Sequence, residues 1–138
     1  MEHLVIRLAK PKDKKAWLKY DKHIQNRELN AKIAQRRAYA AIVDDKVVGI
    51  LRYGLFLDEI AFVTHLYVNR RYRKLGIGKA LMQRFEGDVK LKGHDRVMIS
   101  TRSDEKAQDF YKHLGYEMIG EINLESTEYT EIFMSKAI

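Results

Sequence analysis

The sequence predicts one α/β domain built on a mixed sheet, and the order of its apolar segments carries that prediction. Short β-rich segments alternate with amphipathic helical ones through the middle of the chain, whereas the last two β-rich segments follow one another directly. That order is typical of a sheet with a parallel pair around one helix and a hairpin at the end. A chain of 138 residues, without a Gly/Ser-rich linker or an internal repeat, suits a single domain over residues 1–138.

The N-terminal half is predicted to contain three strands and two helices. These elements are strand Leu4–Leu8, helices Lys14–Ile24 and Glu28–Arg37, and strands Tyr39–Val43 and Lys46–Tyr53. Asp13 precedes the first helix and is expected to be its N-cap, because an Asp side chain accepts hydrogen bonds from the free amides there. Asp44 and Asp45 separate the last two strands, which are therefore expected to form a hairpin.

The C-terminal half contains the strongest helical pattern of the chain. The predicted elements are strand Ile60–Val68, helix Ile77–Lys92, strand Val97–Ser100, a helix carrying Ala107, Phe110, Tyr111 and Leu114, and strands Tyr116–Leu124 and Tyr129–Met134. Apolar residues recur every four positions from Ile77 to Val89, and Gly93 ends that helix. Ser103 or Asp104 is expected to cap the shorter helix.

The charge balance indicates an anionic partner. Lys and Arg total 26 against 19 Asp and Glu, a formal net charge of +7, which suits a nucleic acid, an acidic membrane surface or a phosphorylated small molecule. The chain has no Cys, which excludes disulfides, thiolate zinc sites and a Cys nucleophile, and fits a cytoplasmic location. The His residues show no metal-ligand spacing, and no signal peptide or long apolar run occurs, so neither a metal nor a membrane is expected.

The segment from Leu66 to Leu81 predicts a phosphate or pyrophosphate site. A strand leads through a Gly-bearing turn directly into a helix, whose N-terminal amides and dipole attract anions. Five of the ten residues from Arg70 to Lys79 are basic and none is acidic. A Walker loop is excluded because Ala80 stands where the Mg²⁺-binding hydroxyl belongs, and Leu81 breaks the third Gly of a dinucleotide fingerprint.

Two motifs in this half resemble those of the GNAT family of N-acetyltransferases. Arg73–Gly78 resembles the family's Arg/Gln-x-x-Gly-x-Gly/Ala signature, and Asp104–Tyr116 resembles its Asn-x-x-Ala-x-x-Phe-Tyr-x-x-x-Gly-Phe/Tyr stretch. The order of elements matches the family over nearly the whole chain. The resemblance implies a mixed, mostly antiparallel sheet flanked by helices, in which the parallel strands Ile60–Val68 and Val97–Ser100 splay apart.

The resemblance also implies acetyl-CoA as co-substrate. The amides from Leu75 to Lys79 would hold the pyrophosphate, and the backbone near Leu66 would pair with the pantetheine arm; Arg70, Arg71 or Lys74 would reach the outer phosphates. The cofactor-binding residues implied in this way are Leu66, Tyr67, Val68, Arg73, Lys74, Leu75, Gly76, Ile77, Gly78, Lys79, Asp104, Ala107 and Tyr111. Asp104 departs from the family's Asn, since an ionised Asp only accepts hydrogen bonds.

For the chemistry, the resemblance implies direct acetyl transfer to a primary amine within a ternary complex. The Leu66 N–H would stabilise the oxyanion and Tyr111 would be the general acid. The general base stays open. Glu59 is the first candidate and Glu131 the second, while Asp58, His65 and a water chain remain alternatives.

Two other functions compete with this interpretation. The net charge also suits a basic nucleic-acid-binding domain, although no RNA-binding aromatic motif or recognition helix is present. A non-catalytic acyl-CoA sensor would keep the fold without turnover. The amine acceptor, a small molecule or a protein amine, is expected to bind between the first two helices and the final hairpin, and the terminal strands leave a homodimer open.

Overall fold

The sheet of this protein has seven strands in the order β1-β2-β3-β4-β5-β7-β6 within the residues described, 3–124 and 128–138, of a computed structural model. Its elements are β1 (Leu4–Leu8), α1 (Lys14–Tyr20), α2 (Asn26–Ala34), β2 (Ala38–Val43), β3 (Lys46–Phe56), β4 (Ile60–Val68), α3 (Ile77–Leu91), β5 (Arg96–Arg102), α4 (Ala107–His113), β6 (Glu117–Ile122) and β7 (Glu131–Ala137). Neighbouring strands pair antiparallel except β4 and β5, which are parallel. The predicted mixed, mostly antiparallel sheet is therefore confirmed.

Two tight hairpins build the first half of the sheet. Asp44 and Asp45 have φ of 48° and 64°, the left-handed values that a two-residue hairpin turn requires and that Asp tolerates. The predicted β2–β3 hairpin is confirmed. A second turn follows β3, where Leu57 and Asp58 also adopt positive φ. β3 runs three residues beyond its predicted end at Tyr53, because Gly54, Leu55 and Phe56 still pair with β4.

Helix α3 covers one face of the sheet and supplies the main core. Ile77, Leu81, Phe85 and Val89 are all buried at 1% exposure or less, which confirms the four-residue period. Gly93, with φ of 99°, follows the end of the helix as predicted. The helix lies so close to β3 that a Cβ on Gly49 would stand 3.3 Å from side-chain atoms of both Ile77 and Leu81.

Helices α1 and α2 cover part of the opposite face. Trp17 and Leu29 are fully buried there, in a smaller cluster with Ile50 of β3. Helix α1 is shorter than predicted, because Asp21 leaves the helical conformation with φ of −130°. Helix α2 is displaced toward the N-terminus relative to the prediction, since it begins at Asn26 and ends at Ala34.

At neither short helix does the predicted residue make a side-chain capping bond. Asp13 occupies the predicted N-cap position of α1 but makes no capping bond; its carboxylate instead binds Arg7 at 2.7 and 3.0 Å. Neither Ser103 nor Asp104 caps α4, which begins after Lys106. Ser103 Oγ accepts the Thr130 N–H at 2.8 Å, and Asp104 pairs with Arg102. In each case a partner outside the helix takes the oxygen that a cap would use.

The final strands pair as a hairpin with boundaries that differ from those predicted. Strand β6 ends at Ile122, before the predicted Leu124, and lies at the sheet edge with most of its residues exposed. Strand β7 begins at Glu131 and continues through Ala137, because it pairs with β5 along that strand's whole length.

Replacing Gly49 with Val tests the close contact between α3 and β3. Added methyl groups have no room between Ala41, Ile77 and Leu81, so we expect a loss of about 1–3 kcal/mol in the free energy of unfolding. A methyl group added at Gly87 of α3 would meet no other atom within 4 Å, and Gly87→Ala should instead stabilise by about 0.5–1 kcal/mol. Urea unfolding measures both; equal effects of the two variants would contradict the packing argument.

Candidate active site

The central feature of the site is the separation of the two parallel strands. β4 and β5 pair only from Ala61–Val97 to Val63–Ile99, although β4 continues to Val68 and β5 to Arg102. A bulge lies where the pairing ends: Val63 faces Tyr53 and His65 faces Arg52, so Thr64 is the extra residue of β4. The predicted splayed pair is present, and it opens a cleft between the strands.

The open edge of β4 exposes backbone groups in an alternating pattern. The Asn69 N–H donates to Val48 O at 2.7 Å, and hydrogen-bonded pairs alternate along an antiparallel ladder. Tyr67 therefore directs its N–H and C=O toward β3, whereas Leu66 and Val68 direct theirs toward the cleft. Arg73 Nε donates to Val68 O at 2.8 Å, and its guanidinium lies 5.1 Å from the Tyr67 ring centre.

A left-handed turn then brings the chain to the N-terminus of α3. Lys74 and Gly76 have φ of 63° and 84°, so successive amides point to one side of the turn. The Ala80 N–H makes the first intrahelical bond, to Gly76 O at 2.9 Å, and no side chain caps the helix among the described residues. The preceding amides, those of Ile77, Gly78 and Lys79, lack intrahelical partners. With the adjacent basic residues, they form a turn whose free amides and positive charge suit an anion, called here the anion-binding turn.

A groove of about 570 Å³, called here the cofactor groove, lies between this turn, the open edge of β4 and helix α4. It is lined by Leu66, Tyr67, Val68, Tyr72, Arg73, Lys74, Gly76, Ile77, Gly78, Lys79, Glu105, Ala107, Phe110 and Tyr111. Eleven of the thirteen cofactor-binding residues predicted from the sequence are in this set. Leu75 is exposed on the same turn, and Asp104 is held outside the groove by Arg102.

A second cavity of about 590 Å³, called here the acceptor cavity, opens on the other side of the cleft. It is lined by His23, Val63, Thr64, His65, Leu66, Tyr67, Ser100, Thr101, Arg102, Glu105, Ala107, Tyr111, Tyr129 and Glu131. Five residues line both cavities: Leu66, Tyr67, Glu105, Ala107 and Tyr111. A molecule in one cavity can therefore meet a molecule in the other at this junction, beside Leu66 and Tyr111.

Tyr111 lies at this junction and is also part of the core. It is 7% exposed, and its ring packs edge-on against Phe110 and Tyr116 at 5.1 and 5.8 Å. Burial, and then the negative charge of Glu105, raise the pKa of the Tyr111 hydroxyl well above its usual value. The side chain therefore keeps its proton at neutral and moderately alkaline pH.

The predicted bases are distributed unevenly about the site. Glu59 and Asp58 lie in the exposed β3–β4 turn and line neither cavity. Seven residues of extended strand, about 23 Å at 3.3 Å per residue, separate Glu59 from Leu66, so the structure does not bring the first candidate base to the junction. His65 and Glu131 do line the acceptor cavity.

Sequence reasoning missed several residues of the two cavities. Glu105 and Phe110 lie within the second motif, but Glu105 precedes α4 and stands six residues before Tyr111, so helical spacing gives no signal for it. Other residues reach the acceptor cavity from distant parts of the chain: His23 from the α1–α2 loop, Thr64 from the bulge and Tyr129 from the residues before β7. No local pattern identifies these, because only the tertiary fold brings them together.

Neither a membrane-spanning helix nor a metal cluster is found in the described ranges. No helix there is long and apolar enough to cross a bilayer. No group of three His, Asp or Glu side chains within 3–124 and 128–138 is arranged to hold a metal ion.

An open strand edge beside an anion-binding helix N-terminus defines a protein that can bind a long ligand bearing both amides and phosphates. Comparison with known proteins identifies the class. The chain belongs to the acetyltransferase (GNAT) family, whose model matches residues 3–116. The resemblance found in the two sequence motifs is thereby confirmed.

A curated relative and many solved structures are similar to this chain. It is 34% identical over 93 residues to the Danio rerio protein named "Probable N-acetyltransferase 14", a match that covers 66% of this chain and 33% of that relative. The chain thus matches only about a third of the relative's length.

Among solved structures, Ard1 from Thermoplasma volcanium has a TM-score of 0.85 at 21% identity and covers 98% of this chain and 97% of its own. Arabidopsis thaliana Naa50, in complex with the bisubstrate analogue CoA-Ac-MVNAL, has a TM-score of 0.84 at 17% identity. The match covers 98% of this chain and 99% of Naa50. An aminoglycoside 6'-N-acetyltransferase complexed with coenzyme A has a TM-score of 0.82 at 19% identity and covers 96% of each chain. At these identities the similarity shows the fold.

The half-buried His65 predicts a pH dependence of the free energy of unfolding. Burial lowers the pKa of His65 below its ordinary value of 6.5, against the opposing effect of the Asp21 charge. Below pH 6.5 the unfolded chain binds a proton there that the folded chain does not, so this stabilising contribution is present above pH 6.5 and is lost as the pH falls. Urea unfolding between pH 7.5 and 5.5 should show wild type losing up to about 1.4 kcal/mol per pH unit more than His65→Gln. Identical pH dependence of the unfolding free energy in wild type and His65→Gln would contradict a lowered pKa of His65.

Proposed function

We propose that this protein is an acetyl-CoA-dependent N-acetyltransferase that transfers an acetyl group directly to a primary amine. One observation carries the proposal: the cofactor groove, with its anion-binding turn, meets the acceptor cavity at Leu66 and Tyr111. A ternary complex needs two binding spaces that share one reaction point, and this arrangement supplies them. Family membership supports the same activity.

The cofactor groove suits the two chemical parts of acetyl-CoA. The free amides at the start of α3, together with Lys74 and Lys79, match a pyrophosphate. The cleft-facing N–H and C=O groups of Leu66 and Val68 match the amides of the pantetheine arm, which would add to the sheet as a short strand does. The same basic residues account for much of the local positive charge without a nucleic acid.

The junction supplies groups for acetyl transfer. The amine nitrogen attacks the thioester carbonyl carbon, the new C–N bond forms, and the C–S bond breaks. The Leu66 N–H, directed into the cleft, would stabilise the negative charge on the carbonyl oxygen. Tyr111, which keeps its proton, would donate it to the departing thiolate.

Glu131 is our choice for the group that removes the amine proton, directly or through water. It is half-buried, lines the acceptor cavity, and has no hydrogen bond or ion pair from its side chain within the described part of the chain. His65 Nε2 is engaged by Tyr20 O at 3.2 Å. Glu105 lies 3.4 Å from Arg102. Of the carboxylates around this cavity, Glu131 is thus the one left available.

The acceptor is proposed at the level of a primary amine. Structural neighbours with a peptide-bearing analogue and with an aminoglycoside in their names share the fold, so the fold accommodates both acceptor classes. A thiol-release assay with N-terminal peptides, a Lys-containing peptide, spermidine and kanamycin tests the proposal. Acetyl-CoA binding without release of CoA for any amine would favour the sensor alternative. A cytoplasmic location, supported by the lack of Cys, and a homodimer stay predictions.

Substituting Gly78 with Glu tests the cofactor groove. A Cβ at Gly78 would lie 3.3 Å from Phe110 Cζ, and the added carboxylate would repel a phosphate at the helix N-terminus. We expect calorimetry to show acetyl-CoA affinity reduced by about a hundredfold, the loss of roughly 3 kcal/mol of charged contacts. Gly87→Glu places the same charge on an open part of α3 and should retain normal affinity. Equal acetyl-CoA affinity of the two variants would exclude the groove as the acetyl-CoA site.

Substituting Tyr111 with Phe tests the general acid. Loss of the hydroxyl should lower kcat by about a hundredfold and leave the Kd of acetyl-CoA nearly unchanged, since the ring keeps its packing. Tyr116→Phe is the matched control: that hydroxyl donates to Glu86 at 2.8 Å and lines neither cavity. Steady-state kinetics and calorimetry compare the two. An unchanged kcat in Tyr111→Phe would refute its role.

A further inference from the structure

A buried ion pair between Asp21 and Arg52 lies behind the acceptor cavity. The Asp21 side chain is 0% exposed and that of Arg52 is 12% exposed. Arg52 Nε donates to Asp21 Oδ2 at 2.7 Å and Arg52 Nη2 donates to Oδ1 at 3.3 Å. Trp17 Nε1 is a third donor to the carboxylate, and its bond to Oδ2 is 3.1 Å long. Neither member of the pair lines a cavity, so the pair does not touch substrate or cofactor.

Three contacts lead from this pair to residues that do line the acceptor cavity. The His23 N–H donates to Asp21 Oδ1 at 3.3 Å. Arg52 Nη1 donates to Thr64 Oγ1 at 3.0 Å, which is the side chain of the bulge residue. His65 Nε2 lies 4.0 Å from Asp21 Oδ1. The three contacted residues, His23, Thr64 and His65, line the acceptor cavity, and none of them lines the cofactor groove.

We propose that the Asp21–Arg52 pair is a positioning element that sets the shape of the acceptor cavity and thereby the affinity for the amine. The inference rests on the proposed acetyltransferase function. Asp21 ends α1 and holds the first residues of the α1–α2 loop, while Arg52 spans from that loop to the β4 bulge. The planar guanidinium supplies several donors in fixed directions, so one side chain fixes the loop and the bulge relative to each other.

The chain contains a matched control for this pair. Asp13, before the other end of α1, forms a similar buried pair with Arg7, with N–O distances of 2.7 and 3.0 Å. Asp13 has a side-chain exposure of 5%. Neither residue lines the acceptor cavity or the cofactor groove. Loss of either carboxylate charge should destabilise the fold, because the partner Arg is left without its counter-ion. Only loss of the Asp21 charge should alter the acceptor cavity.

The kinetic test compares Asp21→Asn, Arg52→Lys and Asp13→Asn in the intact chain, with melting temperature as the measure of stability. The probe is whichever of spermidine, kanamycin and the test peptides wild type acetylates fastest. For Asp21→Asn we expect kcat/KM for that amine to fall by about tenfold to a hundredfold through a higher amine KM, with the Kd of acetyl-CoA within about twofold of wild type. Arg52→Lys should retain part of the rate, because an ammonium keeps the charge but not the fork of donors.

For Asp13→Asn we expect a lower melting temperature and unchanged kinetic constants for the amine. The same kinetic losses in Asp13→Asn and Asp21→Asn would overturn the proposal, since destabilisation alone would then explain both. Parallel losses of amine and acetyl-CoA binding in Asp21→Asn would also overturn it.

A structural readout tests the proposal without an amine. The imidazole NMR signals of His23 and His65 should shift in Asp21→Asn and stay in place in Asp13→Asn. Unchanged signals in Asp21→Asn would overturn the positioning role whether or not any amine is acetylated. Failure of the proposed function is a separate result: wild type would then be folded but would either not bind acetyl-CoA in calorimetry or release no CoA with any amine.

Discussion

The end of pairing between β4 and β5 is the constraint on which the rest of the site depends. Up to Val63 and Ile99 the two strands are hydrogen-bonded to each other, and beyond that point they no longer pair with each other. Buried backbone groups need partners, so an interior strand edge without a neighbour is costly unless another molecule or water satisfies it. A ligand with peptide-like amides removes that cost. The cleft therefore offers unpaired backbone groups to a ligand, because the sheet is left incomplete there.

Different layers of the fold serve the two sides of this cleft. On one side, α3 packs so tightly on β3 at Gly49 that its N-terminus is fixed beside the open edge of β4, where the anion-binding turn is needed. On the other side, α1 and its following loop are tied to the sheet by Asp21 and Arg52. The cofactor side thus depends on apolar packing and backbone conformation, whereas the acceptor side depends on side-chain electrostatics. This difference explains why changes on the two faces should have separable effects.

Local patterns predicted the parts of the structure that local interactions decide. The four-residue period predicts α3 because its apolar stripe packs on one continuous sheet face. Gly76 predicts the turn because the backbone there adopts a positive, left-handed φ. Long-range partners decided the rest. The Asp13 carboxylate makes no capping bond because it binds Arg7. Asp21 lies outside α1, where its carboxylate binds Arg52. Glu59 is expected too near the chemistry, although the predicted strand Ile60–Val68 already separates it from Leu66 by an extended segment.

The second motif shows how one substitution changes what a position contacts. Asp104 stands where the family has Asn, and the structure pairs it with Arg102 through contacts of 3.0 and 2.8 Å. The Arg102 guanidinium in turn lies 3.7 Å from the Tyr129 ring centre, and both Arg102 and Tyr129 line the acceptor cavity. A carboxylate cannot donate a hydrogen bond to a cofactor carbonyl, but it can hold a guanidinium in place. Asp104 therefore lies outside the cofactor groove and contacts Arg102, a residue of the acceptor-cavity wall.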